Sequence, residues 1–229
     1  MNKNVFSIAI DGPSGAGKSS IAGRVSKILG AAYLDTGAMY RAVGKYMADN
    51  GVSLNDPEAI SARVNEAVVT IRYENDCQIT LLNGEDVSAD IRRPEISAAA
   101  SAVATVKKVR ERMVEMQREI AKGISLVMDG RDIGTCVLPD ATLKVYLTAT
   151  AEERARRRFL QMEAQGKPQP YEDVLRELKE RDLNDTTREF SPLRRADDAV
   201  EVDTTHMTEE EVVETIIRLL NERRKDENP

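Results

Sequence analysis

Gly12, Gly17, Lys18 and Ser19 complete the pattern G-x-x-x-x-G-K-S inside DGPSGAGKSS, residues 11–20. Glycines at 12, 15 and 17 allow the backbone to turn and bring its N–H groups onto an anion. A lysine at this position reaches the β- and γ-phosphates of a nucleotide, and the following serine hydroxyl ligates the accompanying Mg2+. The run Gly12, Pro13, Ser14, Gly15, Ala16, Gly17, Lys18, Ser19 and Ser20 is therefore a candidate ATP cradle. It follows an apolar run and precedes a helical one, the context that separates such a cradle from a chance glycine-rich turn. The cradle alone does not choose a reaction, because its terminal phosphate could pass to water, a protein, a metabolite or a second nucleotide.

Three further segments carry clustered charge. LDTGAMYR, residues 34–41, ends a strand in Asp35 and starts a helix bearing Tyr40 and Arg41. DGRDIGT, residues 129–135, places Asp129, Arg131 and Asp132 at the end of another strand. RDLNDTTR, residues 181–188, spaces Arg181, Asp185 and Arg188 at i, i+4 and i+7, one face of a helix. Alone, that last segment would read as a solvated charge ladder. No N-K-x-D base-reading motif of a regulatory GTPase is present. Cradle and arginine clusters together suggest transfer between two anions.

The elements that must hold these groups alternate. Short apolar runs at 5–10, 32–34, 124–128, 143–147 and 199–202 read as strands, and helical segments separate them, beginning with 18–29. Such alternation indicates a parallel sheet covered on both faces. The strand feeding the cradle should be central, with the site at the strands' carboxyl ends. Residues 68–73 and 78–82 break the pattern. They alternate apolar and polar, and Asn83-Gly84 follows as a tight-hairpin signal. This small lobe, about 63–95, reads as a surface hairpin without catalytic groups. Near the end, Thr208 and Glu211 form a capping box, and Val212, Val213, Ile216, Leu219 and Leu220 make an apolar stripe for core packing. Residues 222–229 are charged and expected to fray.

Bulk properties exclude several classes. The 229 residues suffice for one α/β domain with an insertion, and 41% are hydrophobic and 31% charged. A net charge of −6 gives no broad basic field for nucleic acid. No apolar run approaches a membrane span of roughly 18 residues, and the N-terminus lacks a signal-peptide pattern. Cys77 and Cys136 are isolated, which suits reduced thiols in the cytoplasm. The one histidine, His206, stands beside polar Thr204 and Thr205 and reads as a surface residue, so histidine-based chemistry is not expected.

Taken together, the cradle, LDTGAMYR, the inserted lobe, GRDIGT, RD-x-x-D-x-x-R and SPL at 191–193 resemble the bacterial-type cytidylate kinases, nucleoside monophosphate kinases related to adenylate kinase. The resemblance spans nearly the whole chain. It implies an α/β, three-layer P-loop kinase fold: a parallel five-stranded core sheet, a small antiparallel inserted lobe and a helical lid at about 152–169. All of 1–229 then forms one domain. It implies transfer of the ATP γ-phosphate to CMP or dCMP, with Mg2+, by a cytoplasmic monomer that binds no nucleic acid and no membrane. It assigns Arg41, Arg131 and Arg188 to the acceptor phosphate, Asp185 and Arg181 to the sugar, and Ser101, Arg110 and Asp132 to the base. Asp35, Thr36, Tyr40 and Gly130 belong to the same acceptor motifs. Lys18, Arg131, Arg154, Arg158 and Arg188 carry catalysis, whereas Arg156 and Arg157 point to other helix faces. Asp129 either orients a Mg2+ water or caps a turn. The alternatives are a related kinase with another nucleotide or hydroxyl acceptor, and a nucleotide-binding regulator without turnover.

Two local expectations follow. Residues 152–165 read as a helix with little apolar face, stopped by Gly166 and the prolines at 168 and 170, hence a mobile lid. Residues 95–122 look like one helix, yet Ser101 and Arg110 are nine residues apart, on opposite faces at ~100° per residue. Both reach one base only if the helix breaks between Ser101 and Thr105, with Thr105 as the new N-cap.

Overall fold

A computed structural model describes residues 5–75 and 77–226. Five strands, β1 (Ser7–Asp11), β2 (Ala32–Asp35), β6 (Leu126–Gly130), β7 (Leu143–Thr148) and β8 (Val200–Asp203), form one sheet in the order β2-β6-β1-β7-β8. Every pairing is parallel, and β1 is central. The inserted lobe is a second, antiparallel sheet of β3 (Val69–Glu74), β4 (Cys77–Leu82) and β5 (Glu85–Asp86). Asn83 and Gly84 both take positive φ, 51° and 89°, as the predicted two-residue hairpin turn requires.

Alternation along the strands divides the core into two layers. Ile8, Ile10, Val127, Val145 and Leu147 face α1 (Lys18–Leu29) and α8 (Glu209–Asp226), meeting Ile21, Val25, Val212, Val213, Ile216 and Leu220. Ala9, Leu34, Leu126 and Met128 face α2 (Thr36–Asp49), α4 (Pro94–Val103) and α5 (Lys107–Ala121), meeting Met39, Val43, Met47, Ile96 and Met113. Each fully buried aliphatic side chain contributes about 1.5–3 kcal/mol. Gly44 sets the closeness of α2 and α4, since a Cβ there would lie 2.8 Å from the Ala100 nitrogen. The remaining helices are α3 (Pro57–Arg63), α6 (Ala151–Ala164) and α7 (Tyr171–Thr187). No helix among the described residues is long and apolar enough to cross a membrane.

Several expectations need adjustment. β1, β6 and β8 begin one or two residues later than the apolar runs, and Val5 and Ile124 are exposed at the sheet's entry end. The helix does break, at residues 104–106, but Thr105 is not the cap. Val106 occupies the N-cap position, and the Thr105 hydroxyl turns back to donate to the Ala102 carbonyl at 2.7 Å, serving the end of α4 instead. The last helix continues to Asp226. The capping box forms as expected, with Thr208 N–H to Glu211 at 2.8 Å and Glu211 N–H to the Thr208 hydroxyl at 3.3 Å. Three glutamates at its start and Arg223, Arg224 and Lys225 at its end suit the helix dipole and hold the charged tail helical to Asp226. Residues 227–229 of the predicted fraying tail lie outside the described residues. The lid helix has a partner: Ala155 packs on Val174 and Leu178, with Met162, Tyr171 and Leu175 around them, so α6 and α7 form a helical hairpin. Arg188 lies just beyond α7 with φ −60° and ψ 144°, so it does not continue the helix face of Arg181 and Asp185.

Candidate active site

Three loops at the carboxyl end of the central sheet and one helical hairpin build the site. The first follows β1. Gly12 has φ 149°, and a Cβ there would lie 2.0 Å from the Leu147 carbonyl oxygen, so glycine is required. Gly17 is the N-cap of α1 with φ 88° and no side-chain cap, which leaves the helix's first N–H groups for an anion. Lys18 is buried and donates to the Pro13 carbonyl at 2.7 Å. Burial, then the nearby Arg131, push its ammonium well below the usual lysine range, while Asp129 acts the other way. A polyphosphate would restore the charge for the same reason. Ala16 is buried within the loop, whereas Ser19 and Ser20 are exposed.

Asp129, at the end of β6, faces this loop. It accepts from the Ser19 hydroxyl at 2.9 Å and from the Tyr33 hydroxyl at 2.8 Å. Burial, then the Asp35 charge, raise its carboxyl to about 6. A serine hydroxyl beside a carboxylate is a hard oxygen pair that fits Mg2+ bound chiefly through phosphates and water. Among the described residues, no cluster of three His, Cys, Asp or Glu could hold a metal alone.

The second loop joins β2 to α2. Asp35 is the N-cap of α2, accepting from Ala38 N–H at 3.0 Å, and its other oxygen takes Arg41 Nη2 at 2.7 Å. Thr36 is buried and donates to the Asp129 carbonyl at 2.7 Å, so its hydroxyl ties α2 to β6. Gly130 is needed beside it, since a Cβ would meet Ile133 at 2.6 Å and Thr36 at 2.8 Å.

After β6 the chain enters a single π-turn, Ile133–Val137. Asp11 holds the start of that turn. Its carboxylate accepts from Ile133 N–H at 2.8 Å and Gly134 N–H at 2.7 Å. Burial raises its pKa to about 6, against those two bonds. The turn thereby fixes Arg131 and Asp132. Asp132 pairs with Arg110 at 2.5 Å, with both groups buried. The Arg110 guanidinium lies 5.4 Å from the Tyr40 ring centroid, a cation–π arrangement. Burial opposes the Arg110 charge, but Tyr40 and Asp132 outweigh it and raise its pKa. Ser101 is half-buried on α4, across the helix break, and no hydrogen bond joins it to Arg110 or Asp132.

The fourth element is the α6–α7 hairpin. Arg154 donates to the Ser14 carbonyl at 3.0 Å and to Asp182 at 2.6 Å, linking lid to cradle. Gly15 touches the same residue, since a Cβ there would lie 3.1 Å from Arg154 Cβ. Arg131 donates to Asp185 at 2.8 Å, and Arg188 stands 3.5 Å from the same carboxylate. Burial favours protonated Asp185, but Arg131 outweighs it and holds the carboxyl below its usual range. Burial, then Arg131, lower Arg181 to about 10, with Arg41 and Arg158 adding to the effect. Arg158 itself donates to Gln161 at 2.9 Å. Arg156 and Arg157 point elsewhere, to Glu153 and, for Arg157, to Thr204.

Orphaned atoms mark what the cleft is built to take. Buried side-chain atoms without a hydrogen-bond partner include Tyr40 Oη, Arg41 Nε, Arg110 Nε, Arg181 Nε, Asp182 Oδ1 and Arg188 Nη2. All six belong to this site. Unpaired buried polar groups are costly, so their concentration here points to a polar, anionic ligand. Asp11, Tyr33 and Asp182 escaped the sequence reading. Asp11 ends the first strand just before Gly12, which was a usable signal; Tyr33 and Asp182 had none beyond adjacency to a motif.

Residues 8–222 match the family model for cytidylate kinase. A cytidylate kinase from Caldicellulosiruptor saccharolyticus is 49% identical over 214 residues, covering 93% of this chain and 95% of that protein. One from Geobacillus kaustophilus is 47% identical over 221 residues, 96% of this chain and 99% of its own. An uncharacterized protein from Eubacterium ventriosum superposes with a TM-score of 0.51 at 14% identity, over 95% of this chain and 98% of that one, a likeness of fold alone. With sequence, fold and cleft in agreement, the chain belongs to the cytidylate kinase family.

Proposed function

We propose that the protein transfers the ATP γ-phosphate to the phosphate of CMP or dCMP, giving ADP and CDP or dCDP. The observation that carries this reading is the set of buried arginine donors without partners on Arg41, Arg110, Arg181 and Arg188, together with the buried Arg110–Asp132 pair. The acceptor oxygen of a nucleoside monophosphate is already an anion. Its lone pair attacks the γ-phosphorus, the bond to the β,γ-bridging oxygen breaks, and ADP leaves with that electron pair. No proton need be removed, so the cleft needs no histidine base; His206 is exposed, beside Glu152, Glu153 and Arg156 of α6. The work is positioning and charge stabilisation.

Roles follow from place. Lys18 and the start of α1 hold the β- and γ-phosphates. Arg41, Arg131 and Arg188 take the acceptor phosphate, and Arg181 and Asp185 its sugar. Arg154 and Arg158, on the lid, reach the transferring group. Asp132 accepts from the cytosine amino group while Arg110 donates to the ring, and Ser101, on α4, is the third base contact. Ser19, with Asp129 through water, would hold Mg2+, which screens the charge between the two phosphates. The protein works as a cytoplasmic monomer on small nucleotides, without nucleic acid or membrane.

The test is ADP formation with a panel of acceptors: CMP, dCMP, UMP, AMP and shikimate-like alcohols. CMP and dCMP should support turnover far above the rest. Equal rates with an alcohol acceptor, or ATP binding without any acceptor-dependent ADP, would overturn the assignment. Turnover should also cease when Mg2+ is chelated and return when it is restored.

A further inference from the structure

β2 is an edge strand. Its Ala32 and Leu34 face β6, with Ala32 N–H on the Ser125 carbonyl at 2.9 Å. The backbone groups of Tyr33 and Asp35 therefore point outward, where an edge strand leaves them unpaired. Two side chains of the inserted lobe cover three of these four groups. Tyr73 donates its hydroxyl to the Tyr33 carbonyl at 2.9 Å. Gln78 takes both groups of Asp35: its Oε1 accepts from Asp35 N–H at 2.7 Å, and its Nε2 donates to the Asp35 carbonyl at 3.3 Å. Tyr73 and Gln78 are directly opposite each other across β3 and β4, so one cross-strand pair does both jobs.

Asp35 is more than an edge residue. Its side chain caps α2 with one oxygen and holds Arg41 with the other. Arg41 Nε is buried and unpartnered. From this chain of contacts we propose that Gln78 is a positioning residue. By clamping the Asp35 backbone, it fixes the carboxylate that aims Arg41 at the acceptor phosphate. The inference rests on the acceptor reading of Arg41, and it gives the inserted lobe a role in acceptor binding.

Gln78 is not needed to keep the lobe in place. Val69, Leu82, Val87 and Ile91 from the lobe and its exit are buried in the same cluster as Met39, Val43 and Met47 of α2. A Gln78→Leu variant should therefore fold with the lobe docked, which thermal unfolding checks. Gln78→Glu is the second variant. It keeps the oxygen that accepts from Asp35 N–H and sets an oxygen against the Asp35 carbonyl.

The experiment measures KM for both substrates in the wild type, Gln78→Leu, Gln78→Glu, Arg41→Met and Gln78→Leu/Arg41→Met. Two lost hydrogen bonds should raise the acceptor KM by on the order of tenfold in Gln78→Leu, and Gln78→Glu, which keeps one bond but opposes the Asp35 carbonyl with a charged oxygen, should raise it at least as much. The ATP KM should stay within about twofold, the limit of ordinary additivity error. In the Arg41→Met background the Gln78→Leu change should have no further effect on the acceptor KM. Three results would overturn the inference: equal movement of both KM values, no movement of the acceptor KM in either single variant, or the same rise with and without Arg41. If the wild type rejects CMP but accepts another monophosphate, the proposed function falls. The coupling is then measured on that acceptor and decides the Gln78 question separately.

Discussion

Arg110 and Asp132 invite a specificity experiment whose outcome the structure makes sharper. Both groups are buried, at 3% and 4% exposure. Cytosine offers an amino donor at C4 and a bare acceptor at N3; uracil offers an oxygen at C4 and a donor at N3. Ionised Asp132 only accepts and Arg110 only donates, so the pair matches cytosine and mismatches uracil twice. At about 1–3 kcal/mol per buried mismatch, CMP should lead UMP in kcat/KM by roughly thirtyfold to twenty-thousandfold. The simple variant Arg110→Met removes half of the reader but also leaves Asp132 as an uncompensated buried charge. That costs about 3–5 kcal/mol, a large part of the roughly 5–15 kcal/mol that holds a domain together. Replacing both, as Arg110→Met with Asp132→Leu, exchanges the pair for apolar groups and should unfold at a urea midpoint much closer to wild type. The double variant is therefore the clean test. Its CMP activity should fall, its UMP activity should not, and the ratio should approach one. A folded double variant that still prefers CMP as strongly as the wild type would show that the base is read elsewhere.

Lys18→Ala should fold, by circular dichroism, and lose on the order of a hundred- to thousandfold in kcat, because the transferring charge loses a preorganised partner. Asp11 binds its proton more tightly folded, at about 6, than the ordinary 3.8. The folded state thus carries more protons between those values, and stability should decline as pH rises from about 4 to 6, by up to ~3 kcal/mol. Asp129, also raised to about 6, adds to the decline, so Asp11→Asn should reduce the slope in urea titrations without abolishing it; an unchanged slope would assign it to other groups. Hydrogen exchange in the α6–α7 hairpin should slow when ATP and CMP analogues are both bound, since few apolar side chains hold it. Equal protection without nucleotide would contradict a moving lid.

Much of this architecture was legible because short-range rules governed it. The helical run at 18–29, the loop glycines before it and the Asn83-Gly84 turn each specify one local conformation, and the parallel sheet with a central first strand followed from alternation and the place of the cradle. The break between α4 and α5 was legible too, but only through the distance between Ser101 and Arg110. What stayed hidden depends on tertiary neighbours. Thr105 has the residue type of an N-cap, yet its hydroxyl turns back to the Ala102 carbonyl, which also accepts its backbone N–H. Charge spacing placed Arg188 on a helix face, but the chain leaves the helix at Thr187, and Arg188 donates instead to the Ser191 carbonyl at 2.7 Å. Tyr73 and Gln78 looked like ordinary hairpin residues, because nothing local says that an edge strand lies within reach.

The cleft also explains how a chain of net charge −6 grips polyanions. Arg131 and Arg181 crowd Lys18, Arg131, Arg41 and Arg158 crowd Arg181, and Arg110 crowds Arg188; this crowding lowers Lys18, Arg181 and Arg188 once burial has begun to do so. Carboxylates make this tolerable. Asp35, Asp132, Asp182 and Asp185 each accept from at least one arginine of the site. A lysine so paired would have its single charged nitrogen committed. A guanidinium has five donors in a planar fork, so one edge can be held by a carboxylate while another stays available. The unpartnered Nε of Arg41 and Arg110, each held at Nη2, and the free Nη2 of Arg188, held at Nε, show that division of labour. The acidic residues therefore do not weaken the anion site; they orient its donors before the phosphates arrive, which lowers the reorganisation required during transfer.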